Sequence, residues 1–301
     1  MQKFLEKYLL PIAMVLGIAF HKQLSILSPI LPFLIALMLF ISYCRVSMRD
    51  IRLTKFHYIL LTIQYLGSAA IYLLLRPINE ILAQAAMICV LTSTATSAPV
   101  VAGLLGGSIS VTAAYSIISN LSVALIGPVF LSFIGQTDRD ISLTSSFWHI
   151  FTSVIPILIL PFIIALTVQK VAPIVHKKIQ SAQIISFYIW AAALTIVIGN
   201  ITQYIVLQDD GNYTLEIIIA STSLVICLLQ FYVGRKIGRK FGRTVAGGQG
   251  LGQKNTVLAI WLTQVYLNPL ATLGPGAYVL WQNLVNSWQI WNHAKRKHED
   301  Y

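Results

Sequence analysis

Lys254 lies in the middle of an apolar segment, within the stretch GGQGLGQKNTVL (247–258). A lysine ammonium in such a place could attract an anion, carry a proton or take the place of a metal cation. A charge at the centre of a membrane helix costs roughly 2.5–3.5 kcal/mol on an insertion scale and commonly marks function. About 11 residues separate Lys254 from Arg243, and about 13 follow before Asn268. We therefore expect an embedded site and not a side chain that extends to the membrane interface.

A second polar cluster, TSTATSAPVV (92–101), interrupts another apolar segment. Pro99 lacks a backbone N–H and clashes with the preceding turn, so we expect the helix to break near Ser97 and to restart at Pro99. In the Lys254 segment we expect four glycines to unwind the chain, and Asn255 and Thr256 to cap a new helix. These glycines are Gly247, Gly248, Gly250 and Gly252.

Broken helices in corresponding positions of two halves of a chain indicate the binding site of a transporter. Two ordinary kinks that serve helix packing are the alternative. Whether the two breaks form a binding site or only serve helix packing depends on the spans that contain them.

The elements that must hold these residues are apolar spans. The chain of 301 residues is 56% hydrophobic and only 10% charged, which is typical of a membrane protein. Apolar runs of about 20 residues, long enough to cross a membrane, recur along the chain, and we predict an all-α membrane protein with ten transmembrane helices. The QTDRD loop (136–140) divides them into five and five, so the two halves would cross the membrane in opposite directions. The spans lie near 4–20, 26–45, 57–75, 79–106, 108–134, 146–169, 184–206, 214–234, 241–267 and 272–292.

The basic residues favour one orientation of these spans. On the side of the termini the loops contain 17 basic residues, and on the other side they contain three. This bias is the positive-inside pattern, so both termini are expected in the cytoplasm, and in a bacterium the membrane would be the cytoplasmic one. Because topology accounts for the net charge of +11, we expect no nucleic-acid partner. The isolated Cys44, Cys89 and Cys227 predict neither a disulfide nor a metal site.

Four stretches of the chain resemble the bile acid:sodium symporter (BASS) family of transporters. The stretch TSAPVVAGLLGGSISVTAAYSIISNLSVALIGPVF (96–130) is similar to the family's broken fourth span and polar fifth span. GQKNTVLAIWL (252–262) and GPGAYVLWQN (274–283) are similar to its ninth and tenth spans, and CRVSMRDIRL (44–53) is similar to the loop after its second span. The resemblance covers nearly the whole chain.

The resemblance implies two inverted repeats of five helices, residues 1–135 and 146–301, joined by a loop at 136–145. The broken fourth and ninth helices would cross at mid-membrane, beside two sodium sites. Transport by alternating access would follow from movement of a core of helices against a panel. The panel would comprise residues 1–55 and 146–206, and the core residues 56–135 and 207–292.

The resemblance also implies ion-site roles for three polar residues. Thr112 and Ser116 would supply hydroxyls to one sodium site, and Gln64 would contribute to the other. Gln253 and Lys254, at the second break, complete the candidates for the ion site or its substitute.

For the substrate, the resemblance points first to Asn255, which matches an asparagine that faces the family's substrate cavity. Gln282 and Asn283 stand where the family commonly has His-Asn. The remaining candidates are polar residues of the two breaks, namely Thr96, Ser97 and Thr256.

The sequence departs from the family pattern at the sodium sites. Ala98 and Pro99 replace a Ser-Asn pair, Gly250 falls where the family has a glutamate shared by both ions, and Lys254 falls where it has a glutamine. The usual cage has thus lost its only carboxylate and gained a cation. We expect Lys254 to replace a sodium ion, so that transport does not require sodium.

In that arrangement the ammonium would donate to carbonyls of residues 94–98 and to Thr112 or Ser116. It would attract an anion, helped by the helix N-termini that begin at Pro99 and Asn255. Alternatively, the lysine amine would carry a proton, because burial disfavours its charged form.

The expected function is secondary active transport of a small or amphipathic organic anion by alternating access. An efflux carrier of a related inverted-repeat family, like those for auxin or arsenite, is the alternative, because nothing in the residues determines the direction of transport. No paired carboxylates or catalytic motifs indicate an enzyme. We expect the lipid bilayer and the anion as partners, a monomer, and no cofactor.

The topology can be tested by labelling engineered cysteines in intact cells. A thiol at Asp209 should react with an impermeant reagent added outside, whereas a thiol at Arg239 should react only after the cells are opened. The opposite pattern would overturn both the orientation and the inverted repeat.

Overall fold

A computed structural model of the protein describes residues 2–44, 52–135, 142–181, 183–207 and 213–299. The QTDRD loop, residues 45–51 and the labelling position Asp209 lie outside the described residues. Within the described ranges the chain forms α-helices and two short 3₁₀ turns, with no β-strand.

The helices follow the apolar segments of the sequence closely. The 3₁₀ turns are Ser28–Ile30 and Pro269–Thr272. In chain order the helices are α1 (Gln2–Ala19), α2 (His21–Ser25), α3 (Leu31–Cys44), α4 (Lys55–Leu75), α5 (Glu80–Leu91), α6 (Ala98–Leu104), α7 (Ile109–Ile134), α8 (Leu143–Val171), α9 (Pro173–Ser181), α10 (Gln183–Val206), α11 (Thr214–Lys240), α12 (Thr244–Gly252), α13 (Thr256–Tyr266) and α14 (Leu273–Glu299).

By length and composition, five helical stretches in the described part of the chain could cross a membrane. They are α4, α7, α8, α11 and the Ile185–Val206 part of α10. Shorter apolar stretches are Ser28–Cys44, Glu80–Leu91 and Thr256–Tyr266. A helix satisfies its own backbone hydrogen bonds, as the hydrocarbon interior requires. The protein is therefore an all-α membrane protein.

The helices pack in two groups. We call α1 to α3 with α8 to α10 the scaffold group, and α4 to α7 with α11 to α14 the broken-helix group, because each set packs mainly within itself. The groups meet where α7 lies along α8 and where α13 contacts α3 and α10. Leu39, Leu158, Val197 and Leu258 belong to one buried apolar cluster that joins both groups.

The glycines that precede Lys254 do not unwind the chain, contrary to the sequence-based expectation. They are helical, because α12 continues to Gly252. A Cβ atom on Gly247 would collide with the backbone of Gly234 in α11, and one on Gly252 with the ring of Phe231. Their lack of a side chain lets the backbones of α11 and α12 approach closely, which is a common use of small residues in membrane proteins.

The close approach of α11 and α12 can be tested with two alanine substitutions. Gly247→Ala should lower the temperature of thermal unfolding of the purified protein by several degrees, because overpacking costs about 1–3 kcal/mol. Gly127→Ala is the matched control, since its Cβ would lie 3.5 Å from Val123 Cγ1, an ordinary contact. It should leave the unfolding temperature unchanged or raise it, because alanine favours helix more than glycine does. Equal unfolding temperatures would contradict the close approach.

Candidate functional site

The two broken helices meet at their breaks. The first break runs from the end of α5 at Leu91 to the start of α6 at Ala98, and therefore begins earlier than the expected position near Ser97. The second break lies between the end of α12 and the start of α13. Thr94 and Lys254 face each other across these breaks in an isolated antiparallel bridge. We call this region the crossing.

Backbone hydrogen bonds hold the crossing together. Ala95 N donates to Gln253 O at 2.9 Å, and Asn255 N donates to Ser93 O at 2.8 Å. A helix break frees backbone polar groups, which need partners wherever water does not reach them. The backbone of each break therefore supplies hydrogen-bond partners for the backbone of the other, on either side of the facing pair Thr94 and Lys254.

One face of α7 supports the first break. Asn120 Nδ2 donates to Thr94 O at 3.2 Å, and Asn120 Oδ1 accepts from Ser93 Oγ at 2.8 Å. Ser119 Oγ accepts from Thr94 N at 3.2 Å, and Ser116 Oγ lies 3.3 Å from Thr94 O. The unwound backbone is thus fixed in place by polar side chains of the neighbouring helix.

Lys254 is buried, with a side chain only 1% exposed. Its Nζ donates to Val90 O at 2.8 Å and to Thr92 O at 3.0 Å, at the C-terminal end of α5. The carbonyls of the last helical turn lack intrahelical partners and carry partial negative charge. The ammonium therefore binds these carbonyls and not the expected partners, which were the carbonyls of residues 94–98 and the hydroxyls of Thr112 or Ser116.

Two glutamines complete the capping of α5. Gln64 Nε2 donates to Leu91 O at 2.7 Å, and Gln230 Nε2 donates to Cys89 O at 3.1 Å. The oxygen of Gln64 accepts from two hydroxyls, those of Tyr115 at 2.9 Å and of Ser119 at 3.1 Å. An amide oxygen has two lone pairs, so Gln64 has none left for the ion that the resemblance suggested.

Gln282 of α14 holds the backbone of Lys254 from the other side. Its Oε1 accepts from Lys254 N at 2.8 Å, and its Nε2 lies 3.3 Å from Lys254 O. The neighbouring Asn283 instead donates to Val279 O in its own helix at 2.6 Å. Thr112 likewise bonds within its own helix, because its hydroxyl donates to Ser108 O at 2.9 Å. Gln282 therefore contacts the crossing, whereas the polar groups of Asn283 and Thr112 do not bond to it.

The crossing is accessible from the protein surface at the first break. Ser97 is exposed and Thr96 is partly exposed, whereas Gln253 is buried and donates to Ser97 Oγ at 2.8 Å. The first break is therefore the accessible side of the crossing, and the lysine lies deeper.

The N-terminus of α13 is less open to an anion than expected. Asn255 caps it, because its Oδ1 accepts from Leu258 N at 3.3 Å. The N–H of Thr256, a residue only 2% exposed, already donates to Lys254 O at 3.0 Å. Two of the N–H groups that would bind an anion are therefore engaged within the protein.

The side chains around the crossing do not fit the sodium sites of the resemblance. Ala98 and Pro99 offer no side-chain oxygen. A Cβ atom on Gly250 would lie 2.8 Å from Tyr115 Cδ1, so the aromatic ring occupies the place that a glutamate side chain would need. No carboxylate in the described ranges pairs with Lys254, and the ion pair between Arg76 and Glu80 lies away from the crossing.

Sequence reasoning missed several residues of the crossing. Ser119 and Asn120 share a face of α7 with Thr112 and Ser116, at helical spacing that could have identified them. Gln230 had no such signal, because an isolated glutamine in a long apolar helix does not reveal which carbonyl it will meet. Neither a protein-family model nor a curated protein sequence matches the chain.

The contact of Gln282 with the Lys254 backbone can be tested against its neighbour. Gln282→Leu leaves the N–H and C=O of Lys254 without these partners, and a buried unpaired polar group costs about 1–3 kcal/mol. We expect a clearly lower unfolding temperature for Gln282→Leu than for Asn283→Leu, whose lost bond lies within one helix. If Asn283→Leu were the more destabilising change, the placement of α14 against the crossing would be wrong.

Proposed function

We propose that the protein is a secondary active transporter of small or amphipathic organic anions, similar to the bile acid:sodium symporter family and working by alternating access. The observation that carries the proposal is the pair of broken helices joined at their breaks, with a buried lysine at the junction. Intramembrane charges and paired helix breaks are both features of transport sites.

The proposal includes ten spans in two inverted repeats. Its support is that the helices of the described ranges follow the ten apolar segments, with α5–α6 and α12–α13 as the interrupted pairs. The two breaks occupy the fourth segment of each half. The scaffold and broken-helix groups would then be the panel and the core that move against each other.

Lys254 would take the place of a sodium ion in this transporter. Its ammonium binds the carbonyls of Val90 and Thr92, as a bound cation would. The ring of Tyr115 fills the space beside Gly250, and the oxygen of Gln64 is already occupied. A tethered cation in this position makes a dissociable one unnecessary.

The same ammonium gives the site its preference for anions. In a region of low effective dielectric constant, a charge without a paired carboxylate attracts an anion over several ångströms. Thr96 and Ser97, on the exposed side of the first break, would meet the substrate first. If the amine instead carries a proton, the site would alternate between neutral and charged forms during the cycle.

The coupling can be tested by replacing sodium with choline in proteoliposomes. We expect uptake of a carboxylate substrate, chosen from a screen of radiolabelled organic anions, to persist without sodium. Lys254→Gln should abolish uptake or weaken the affinity for the anion, because it removes the fixed positive charge, and it should not create sodium dependence. Any uptake that remains allows its pH dependence to be measured. Lys178→Gln, at an exposed position of α9, is the matched control and should transport normally.

Two outcomes would separate the versions of this proposal. If Lys254 carries a proton, uptake should fall as the external pH rises, and Lys254→Gln should remove that dependence. A saturable and complete requirement for sodium in the unsubstituted protein would overturn the role assigned to the lysine.

A further inference from the structure

A cavity of about 500 Å³ lies between the scaffold group and the broken-helix group. It shares no lining residue with the crossing. Its volume is within the range of about 300–1,000 Å³ that is typical of small-molecule sites. Polar or aromatic side chains line it from both groups: Ser28, Asn200, Gln203 and Tyr204 on the scaffold side, and Trp261 and Gln264 of α13 on the other.

Hydrogen bonds orient the two glutamines of this cavity. Gln203 Oε1 lies 2.6 Å from His21 Nδ1, and since an amide oxygen only accepts, the ring nitrogen donates. Gln264 Oε1 lies 3.5 Å from Asn200 Nδ2, and Asn200 Oδ1 in turn accepts from Ser28 Oγ at 2.9 Å. Both glutamine oxygens therefore face protein partners. Their Nε2 groups have no hydrogen-bond partner among the described residues.

The lining of the cavity contains donors but no charged side chain. Donors without a hydrogen-bond partner among the described residues include the Nε2 groups of Gln203 and Gln264 and the hydroxyl of Tyr204. An anion would lose its hydration here without meeting a cation, and an ammonium group would lose its hydration without meeting a carboxylate. A neutral molecule with oxygen acceptors avoids both costs. Its apolar part would lie against Trp261 and Val265, which also line the cavity.

We propose that this cavity is a second ligand site, which binds a neutral amphipathic organic molecule. The oxygen acceptors of the ligand receive hydrogen bonds from Gln203 and Gln264, and its apolar skeleton packs on Trp261. The site is separate from the anion site at the crossing, and its existence does not depend on transport. Because its lining comes from both helix groups, an occupant joins the two groups.

A single engineered thiol can report on occupancy. Val265 is 52% exposed and lines the cavity, whereas the native cysteines Cys44, Cys89 and Cys227 are buried. In Val265→Cys, reconstituted in lipid nanodiscs, we would measure the rate of maleimide labelling with three probes that share one skeleton. The probes are adamantane carboxamide, adamantane carboxylate and adamantyl ammonium.

We expect the carboxamide to slow the labelling at the lowest concentration and the ammonium compound at the highest. Adding Gln203→Leu and Gln264→Leu should weaken protection by the carboxamide about fivefold or more, as expected for a lost hydrogen bond of ordinary strength. Gln23→Leu, on the exposed side of α2, is the matched control and should leave protection unchanged. An unchanged labelling rate without probe would verify that each variant is folded.

A cysteine at Ile78, which is 72% exposed and outside the cavity, controls for effects of the probes on the membrane. Equal protection of the two cysteines would overturn the proposal. So would equal protection by the three probes, or protection that survives loss of both glutamines, because the cavity would then be only an apolar crevice.

Discussion

The buried C-terminal end of α5 is the constraint on which the rest of the site depends. Its last carbonyl groups lie where water does not reach, and each one left unpaired would cost about 1–3 kcal/mol. Lys254, Gln64 and Gln230 pair with them from the second break, α4 and α11 respectively. The position of the second break and the packing of both long helices against α5 follow from this need.

Lys254 contributes to packing and to the proposed function through the same contact, that of its ammonium with the end of α5. A helix end carries partial negative charge and favours a cation, typically by about 0.3–1 kcal/mol at exposed sites and more when partly buried. A neutral donor could fill the geometry, as Gln64 and Gln230 do, but it would leave no net charge. The choice of lysine at this one position therefore adds a positive charge, which in the proposed function attracts the anion.

The sequence predicted the main features of the crossing but not its contacts. The run of Ser and Thr before Pro99 predicted the first break. Asn255 caps the N-terminus of α13, as its residue type predicted. The role of the glycines was wrong, because unwinding and close packing both favour glycine and only the presence of α11 distinguishes them. The partners of Lys254 were also missed, since a long flexible side chain can reach several carbonyls and its choice depends on where α5 ends.

The bridge between Thr94 and Lys254 has a consequence for biosynthesis. Thr94 also donates to Gly250 O at 2.6 Å, and these two residues are 156 positions apart in the chain. When the first half has entered the membrane, Ser119 and Asn120 can already satisfy Thr94, but Ala95 N and Ser93 O must wait for residues that the ribosome has not yet made. The carbonyls of Val90 and Cys89 wait as well, because Lys254 and Gln230 lie in the second half. A half-synthesised chain therefore holds several unsatisfied polar groups in a nonpolar environment, and we expect it to depend on insertion chaperones until translation is complete.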